Sequence, residues 1–276
     1  MKLYHLTDAV IIENENGKLF SKPVTDWDEY INRDDLHPFL CEEINSAMPI
    51  DKLDENALLH PVGRQEVWAA GVTYLRSRDA RKEESKESGG ATFYDLVYNA
   101  ERPEIFFKAT AQRVVGNGGK VRIRKDSTWN VPEPELTLVI TTNGKIVGYT
   151  IGNDMSSRSI EGENPLYLPQ AKIFEGCAGI GPCLYVPAAP ISKDTTISID
   201  ISRNGTSQYN DSVAISQMKR GHQELVDFLF RECDFPHGCF LMTGTCMIPP
   251  NDFTLQSGDT VRISIDHIGT LINIVA

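Results

Sequence analysis

The sequence predicts an α+β protein that is mainly β, with a small N-terminal α+β domain over residues 1–60 and a larger domain over 61–276. Three observations carry this. Two runs of strand-forming residues, 136–140 and 145–151, flank Asn143-Gly144, the signature of a hairpin. In the C-terminal part, strand patterns at 196–202, 240–243 and 260–265 are punctuated by Gly238, Gly244, Gly258 and Gly269. At the N-terminus, strand patterns at 3–12 and 17–22 precede a helix near 26–31.

In chain order, the strand pair is joined by Glu13-Asn14-Glu15-Asn16-Gly17, and a mixed polar segment follows the helix to about Asn56. His5, His37 and His60 are isolated from one another and read as surface or packing residues. Residues 66–72 read as a buried strand. The mixed-charge run from Arg76 to Gly90 reads as a solvated helix with i,i+4 pairs, or as a lid that brings Arg76, Arg78 or Arg81 towards an anion. In RPEIFFKAT, residues 102–110, Glu104, Phe106 and Lys108 share one strand face, which suggests an ion pair between Glu104 and Lys108.

The hairpin at the centre carries the chemistry. Asn143-Gly144 reads as a type I′ turn. That turn pairs Thr142 with Lys145 and, further along the ladder, sets Glu135 opposite Gly152 and Glu133 opposite Asp154. Glu133 and Glu135 lie on one face because strand side chains repeat every two residues. Opposed residues are roughly 4.5–5.5 Å apart at Cβ, so three acids converge on one patch. Their repulsion can be offset by protonation of one acid, by a nearby Lys or Arg, or by a bound cation, and an all-oxygen set suits Mg²⁺, with Mn²⁺ or Ca²⁺ as alternatives. Three solvated acids at a hairpin end are the plain alternative. Pro134 between the two Glu residues demands an edge strand or a bulge.

Residues 156–182 read as a long irregular stretch, too apolar for disorder. Within it Lys172 lies beside Ala171, Ile173 and Phe174, an apolar setting suited to a lysine that acts as a base. A helix near 222–231 and the C-terminal strands complete the chain.

Composition sets limits. The 276 residues carry a formal net charge of -11 and 41% apolar residues. That acidity argues against nucleic acid or an anionic membrane as partner. Six cysteines without a Cys-x-x-Cys pair read as free thiols of a reducing compartment. MKLYHLTDAV has no signal pattern and no apolar run reaches membrane-spanning length, so a cytoplasmic location is expected.

The segments PEPEL at 132–136, GNDMSSR at 152–158, LPQAKIF at 168–174, Thr-Gly-Thr at 243–245 and SGDTVRISIDHIGTLIN at 257–273 resemble the fumarylacetoacetate hydrolase superfamily over about 61–275. RPEIFFKAT, WNVPEPEL and ENPLYLPQAKI most resemble its 2-keto-3-deoxy-D-arabinonate dehydratase branch. The resemblance implies a C-terminal β-roll of mixed sheets and a divalent metal, usually Mg²⁺, on Glu133, Glu135 and Asp154. It further implies Lys172 as a catalytic lysine, Arg158, Glu104 and the Thr243–Thr245 loop, with Thr245, as facing the substrate, and a homodimer or homotetramer; Lys108, on the strand face of Glu104, is a further candidate substrate contact. One departure stands out: hydrolases and decarboxylases of the superfamily carry a lid His where this chain has Ser77.

The chemistry implied is dehydration of a 2-keto-3-deoxy sugar acid through an enolate. Lys172 would be the base, and Glu104, in a buried setting, the acid that protonates the departing hydroxyl. Alternatives are a hydrolase, decarboxylase or isomerase of an acylpyruvate-type or other 2-keto acid, or a non-catalytic cation-binding β domain.

Overall fold

The computed structural model describes residues 1–84 and 91–276, with side chains for all of these except 80–84 and 91–94. Strands dominate. The main sheet has eleven of them. Ten run in the order Met48–Ile50, Leu19–Pro23, Ala9–Glu13, Lys2–His5, Ala178–Tyr185, Ile146–Asp154, Pro134–Ile140, Cys239–Met242, Glu66–Gly71 and Glu104–Ala109. The eleventh, Val114–Val115, lies parallel beside Ala178–Tyr185. Cys239–Met242 and Glu66–Gly71 also pair in parallel. A five-stranded sheet is ordered Thr206–Ala214, Thr196–Arg203, Thr260–Ile265, Gly269–Val275 and Lys120–Val121.

Alternation along the strands builds two cores. Leu136, Leu138 and Leu241 face Ile197, Ile199, Ile201, Val261 and Ile263 of the five-stranded sheet. Val139, Phe240 and Met242 face the other way, with Trp27, Ile31, Leu36 and Leu40 of two short helices. The main sheet is thus covered on one face by a sheet and on the other by helices.

Several local expectations change. Residues 3–12 split into Lys2–His5 and Ala9–Glu13, which pair with each other. Inside the expected polar segment, Leu36–Glu43 is a helix with Leu36 and Leu40 buried. Its Pro38 is tolerated because first-turn amides have no partner within the helix. The stretch read as irregular holds the helices Arg158–Glu163 and Leu168–Lys172 and the start of a strand. Pro165 and Pro169 sit at helix starts, which mark elements instead of breaking them. The expected charged helix is seen as Leu75–Glu84; Arg81 and the remainder of that run lie outside the described side chains.

The hairpin turn differs too. Thr141, not Thr142, pairs with Lys145, through Thr141 N–H to Lys145 O at 2.9 Å. Gly144 alone has positive φ, at 74°, whereas a type I′ turn needs two such residues. The loop therefore holds three residues, and a bulge between Val139 and Ile140 restores the ladder, so Glu135 still meets Gly152. Pro134 lies on a central strand, not an edge. It is the first residue, beyond the reach of the neighbouring strand, whose pairing begins at Thr137 with Met242.

Candidate metal centre

Five segments deliver their ends to one place. The Pro134–Ile140 strand begins there and Ile146–Asp154 ends there. The parallel strands Glu66–Gly71 and Cys239–Met242 both finish there, and the Leu168–Lys172 helix closes it. A narrow cleft results, with room for little more than a water molecule, lined by Glu133, Glu135, Asp154, Arg158, Lys172, Phe106, Ser77, Thr245 and neighbouring backbone.

One oxygen from each of Glu133, Glu135 and Asp154 lies within 4.8 Å of the other two. All three acids are buried, and so are the cations among them: Lys108 and Lys172 at 0% exposure and Arg158 at 2%. Lys172 Nζ donates to Glu133 Oε2 at 2.5 Å and to Asp154 Oδ2 at 3.0 Å. Arg158 Nη2 donates to Glu133 Oε1 at 2.8 Å. The Gly244 N–H donates to Glu135 Oε2 at 2.6 Å. Asp154 Oδ1 accepts no hydrogen bond, although Lys108 Nζ lies 2.5 Å from it.

Burial, and then the charges of Asp154 and Glu133, push the Glu135 carboxyl well above the usual carboxylate range. Lys172 and the Gly244 N–H only partly offset this. A divalent cation suits such a donor set. Three carboxylates offer hard oxygens at close quarters, one of them already disfavoured as an anion by its neighbours, and no other group of three ligands is found among the described residues.

The conformation of the cleft walls is demanding. Gly244 has φ of +94°, and a Cβ there would stand 2.1 Å from Thr73 Oγ1 and 2.9 Å from Ala70 O. Thr73 and Thr243 hydroxyls fasten this loop, donating to Thr243 O at 2.7 Å and Leu136 O at 2.9 Å. Val72 lines the cleft at φ of 54°, a strained position for a β-branched residue.

The structure thus brings together Glu133, Glu135, Asp154, Lys172, Arg158 and Thr245. Glu104 is half-buried beside the cleft wall. Its Oε2 has no hydrogen-bond partner among the described residues and lies where a Cβ on Gly71 would be, 1.8 Å away. The expected ion pair between Glu104 and Lys108 is absent. Lys108 turns instead to Asp154, Met155 O and Lys172 O, and it does not line the cleft. Ser77 is occupied locally, donating to Tyr74 O at 2.7 Å. No histidine is among the described residues that line the cleft. Two participants escaped the sequence reading: the Gly244 amide, signalled only by its place within Thr-Gly-Thr, and the Phe106 ring, 5.8 Å from Lys172 Nζ, signalled by its alternation with Glu104 and Lys108.

This chain is similar to several known proteins. A probable 2-keto-3-deoxyxylonate dehydratase of Haloferax volcanii is 50% identical over 216 residues, 78% of this chain and 73% of that protein. The 2-dehydro-3-deoxy-D-arabinonate dehydratase of Saccharolobus solfataricus is 42% identical over 234 residues, 83% of this chain and 78% of that protein. A solved 2-keto-3-deoxy-D-arabinonate dehydratase, complexed with magnesium and 2,5-dioxopentanoate, superposes with a TM-score of 0.85 at 33% identity, covering 100% of this chain and 98% of that one. Residues 67–276 match the fumarylacetoacetate hydrolase C-terminal family, so the strands and acids described above are those of a chain that belongs to that family.

Proposed function

We propose that this chain is a Mg²⁺-dependent dehydratase of a 2-keto-3-deoxy sugar acid, converting a substrate such as 2-keto-3-deoxy-D-arabinonate to 2,5-dioxopentanoate and water. The observation that carries the proposal is the buried trio Glu133, Glu135 and Asp154 with Lys172 against it. It is supported by a relative at 42% identity that is a 2-dehydro-3-deoxy-D-arabinonate dehydratase and one at 50% named a probable 2-keto-3-deoxyxylonate dehydratase. The three acids would hold the cation. When bound, a divalent cation supplies Lewis-acid stabilisation of the charge that develops on a keto oxygen.

The chain's own residues do the rest. Lys172 takes a proton from C3 of the substrate, next to the keto carbon: it lines the cleft and touches the trio, and unlike the Arg158 guanidinium, which stays charged, an amine can serve as a base. Glu104 gives a proton to the hydroxyl leaving C4, its unpartnered Oε2 being the available acid beside the wall. The resulting C3–C4 double bond is conjugated to the keto group; loss of a proton from C5 and protonation at C3 move it to C4–C5 as an enol, which loses its O–H proton and takes a proton at C4 to become the aldehyde. Arg158 and Thr245 face the substrate. A histidine to activate water has no candidate among the described cleft residues, which favours elimination over hydrolysis.

In this reading residues 61–276 hold the chemistry, while residues 1–60 form a small α+β flank joined to the main sheet through Lys2–His5 and Ala178–Tyr185. The protein works as a homodimer or homotetramer in the cytoplasm, in pentose catabolism. Among the described residues no helix is long and apolar enough to cross a membrane.

The test is to incubate purified protein and Mg²⁺ with racemic 2-keto-3-deoxypentonate, couple it to a 2,5-dioxopentanoate dehydrogenase and follow NAD(P)H. A rise that EDTA abolishes is expected. No rise from metal-loaded protein would exclude this substrate and turn attention to acylpyruvates and oxaloacetate.

A further inference from the structure

Lys108 has a position that neither packing nor substrate contact explains. It is fully buried yet absent from the cleft wall. The pairing of Glu104–Ala109 with Glu66–Gly71 slips here: Val67 faces Ala109 and Trp68 faces Phe107, leaving Lys108 without an opposite residue. Such a bulge re-aims the side chain it carries. The re-aimed ammonium donates to two carbonyls, Met155 O at 3.0 Å and Lys172 O at 2.5 Å, and forms an ion pair with Asp154 Oδ1 at 2.5 Å. These belong to an acid of the trio, the residue after it, and the backbone of the lysine that enters the cleft.

The other two acids are held in the same manner. Arg158 grips one oxygen of Glu133 and the Gly244 N–H grips one oxygen of Glu135. Each carboxylate thus has one oxygen held from outside the trio, while the oxygens a cation would use include Glu133 Oε2 and Asp154 Oδ2, which Lys172 Nζ now shares.

We infer that Lys108 is a positioning residue: it orients Asp154 for the cation and anchors the Lys172 backbone, and it does not touch substrate. This rests on the cation-site reading above. Partners that orient ligand side chains typically govern metal affinity by roughly 10–100-fold.

The experiment uses Lys108→Met and Lys108→Gln, each in the wild-type and the Asp154→Asn background. Gln keeps a donor for the carbonyls while removing the charge, so it carries the measurement if Met is poorly tolerated. Chelator-stripped protein is titrated with Mn²⁺ and free Mn²⁺ is read by electron paramagnetic resonance; kcat and KM are then measured at saturating Mg²⁺. In the wild-type background the Mn²⁺ Kd is expected to rise roughly 10–100-fold, with KM at saturating Mg²⁺ changed by less than about threefold. With Asp154→Asn already present, the Lys108 change should add less than about threefold, because the two act through one contact.

A raised KM with unchanged Mn²⁺ affinity would make Lys108 a substrate contact and overturn the inference. So would a full, additive loss of affinity in the Asp154→Asn background, or failure of both single variants to fold. Wild-type protein that binds no Mn²⁺ would instead remove the cation-site reading on which all this stands.

Discussion

Lys172 separates a catalytic site from a structural one. Its ammonium shares Glu133 Oε2 and Asp154 Oδ2, two oxygens a cation would also use. Lys172→Ala therefore should leave Mn²⁺ binding intact while kcat falls about 10²–10⁴-fold, the usual range for a lost general base; steady-state kinetics beside a Mn²⁺ titration would check this. Retained turnover would remove Lys172 from the mechanism. Gly244→Ala is the harsher change, since it forces a Cβ against Thr73 and Ala70 at positive φ and shifts the amide that holds Glu135. A loss of about 3 kcal/mol is expected in denaturant unfolding, together with weakened Mn²⁺ binding. At this scale the acids were readable because strand alternation and one ladder suffice to bring Glu133, Glu135 and Asp154 together. The partner of Lys108 was not, since it depends on a bulge and on segments far along the chain.

The hairpin shows how an element can reach the expected end by an unexpected route. Its loop is one residue longer than Asn143-Gly144 suggests, and the bulge after Val139 cancels the shift before the ladder reaches Glu135. Residues from the N-terminal part hold this loop. Asn32 Oδ1 accepts from Thr142 N–H at 2.8 Å, and Asp34 accepts from Thr141 Oγ1 at 2.6 Å and Asn143 Nδ2 at 3.0 Å. Such clamps join positions over a hundred residues apart, so local turn preferences could not reveal them. Asp34 is exposed, and Asp34→Ala should cost only about 1 kcal/mol in chemical unfolding. Mn²⁺ affinity should not change, because the seven-residue strand sets the loop roughly 20 Å from the acids. A shift in affinity would mean that the loop sets the register at the site. The helices Leu36–Glu43 and Leu168–Lys172 were missed for a different reason: Pro38 and Pro169 occupy first turns, where a proline is compatible with a helix.

For the whole molecule, the mixed α+β character was readable from strand patterns and glycine punctuation, while the layering was not. That one sheet would join residues from Met48–Ile50 to Glu104–Ala109 depends on pairings such as Lys2 with Tyr185, which only the folded chain reveals. Global stability also has a pH signature. Burial lowers the basicity of His5, His60 and His222, with His5 adding to the effect on His60 and Lys193 to that on His222. A histidine depressed in the folded state keeps its stability contribution above the unfolded value, near 6.5, and loses it as pH falls towards the folded value. His222 packs against the Tyr149 ring at 6.3 Å. The melting temperature of wild type minus that of His222→Gln should therefore fall between pH 7.5 and 5, measured in EDTA. A constant difference would show that His222 does not titrate with unfolding.

The proposed chemistry and the anchorage occupy opposite ends of the Pro134–Ile140 strand: the acids lie at its start, and the loop clamped by Asn32 and Asp34 lies beyond its finish. Active sites often trade stability for activity, because crowded like charges and strained backbone are kept for what they do. Here that trade is confined to one end of the hairpin, so substitutions at the other end are free to tune the melting temperature without a matching change in turnover.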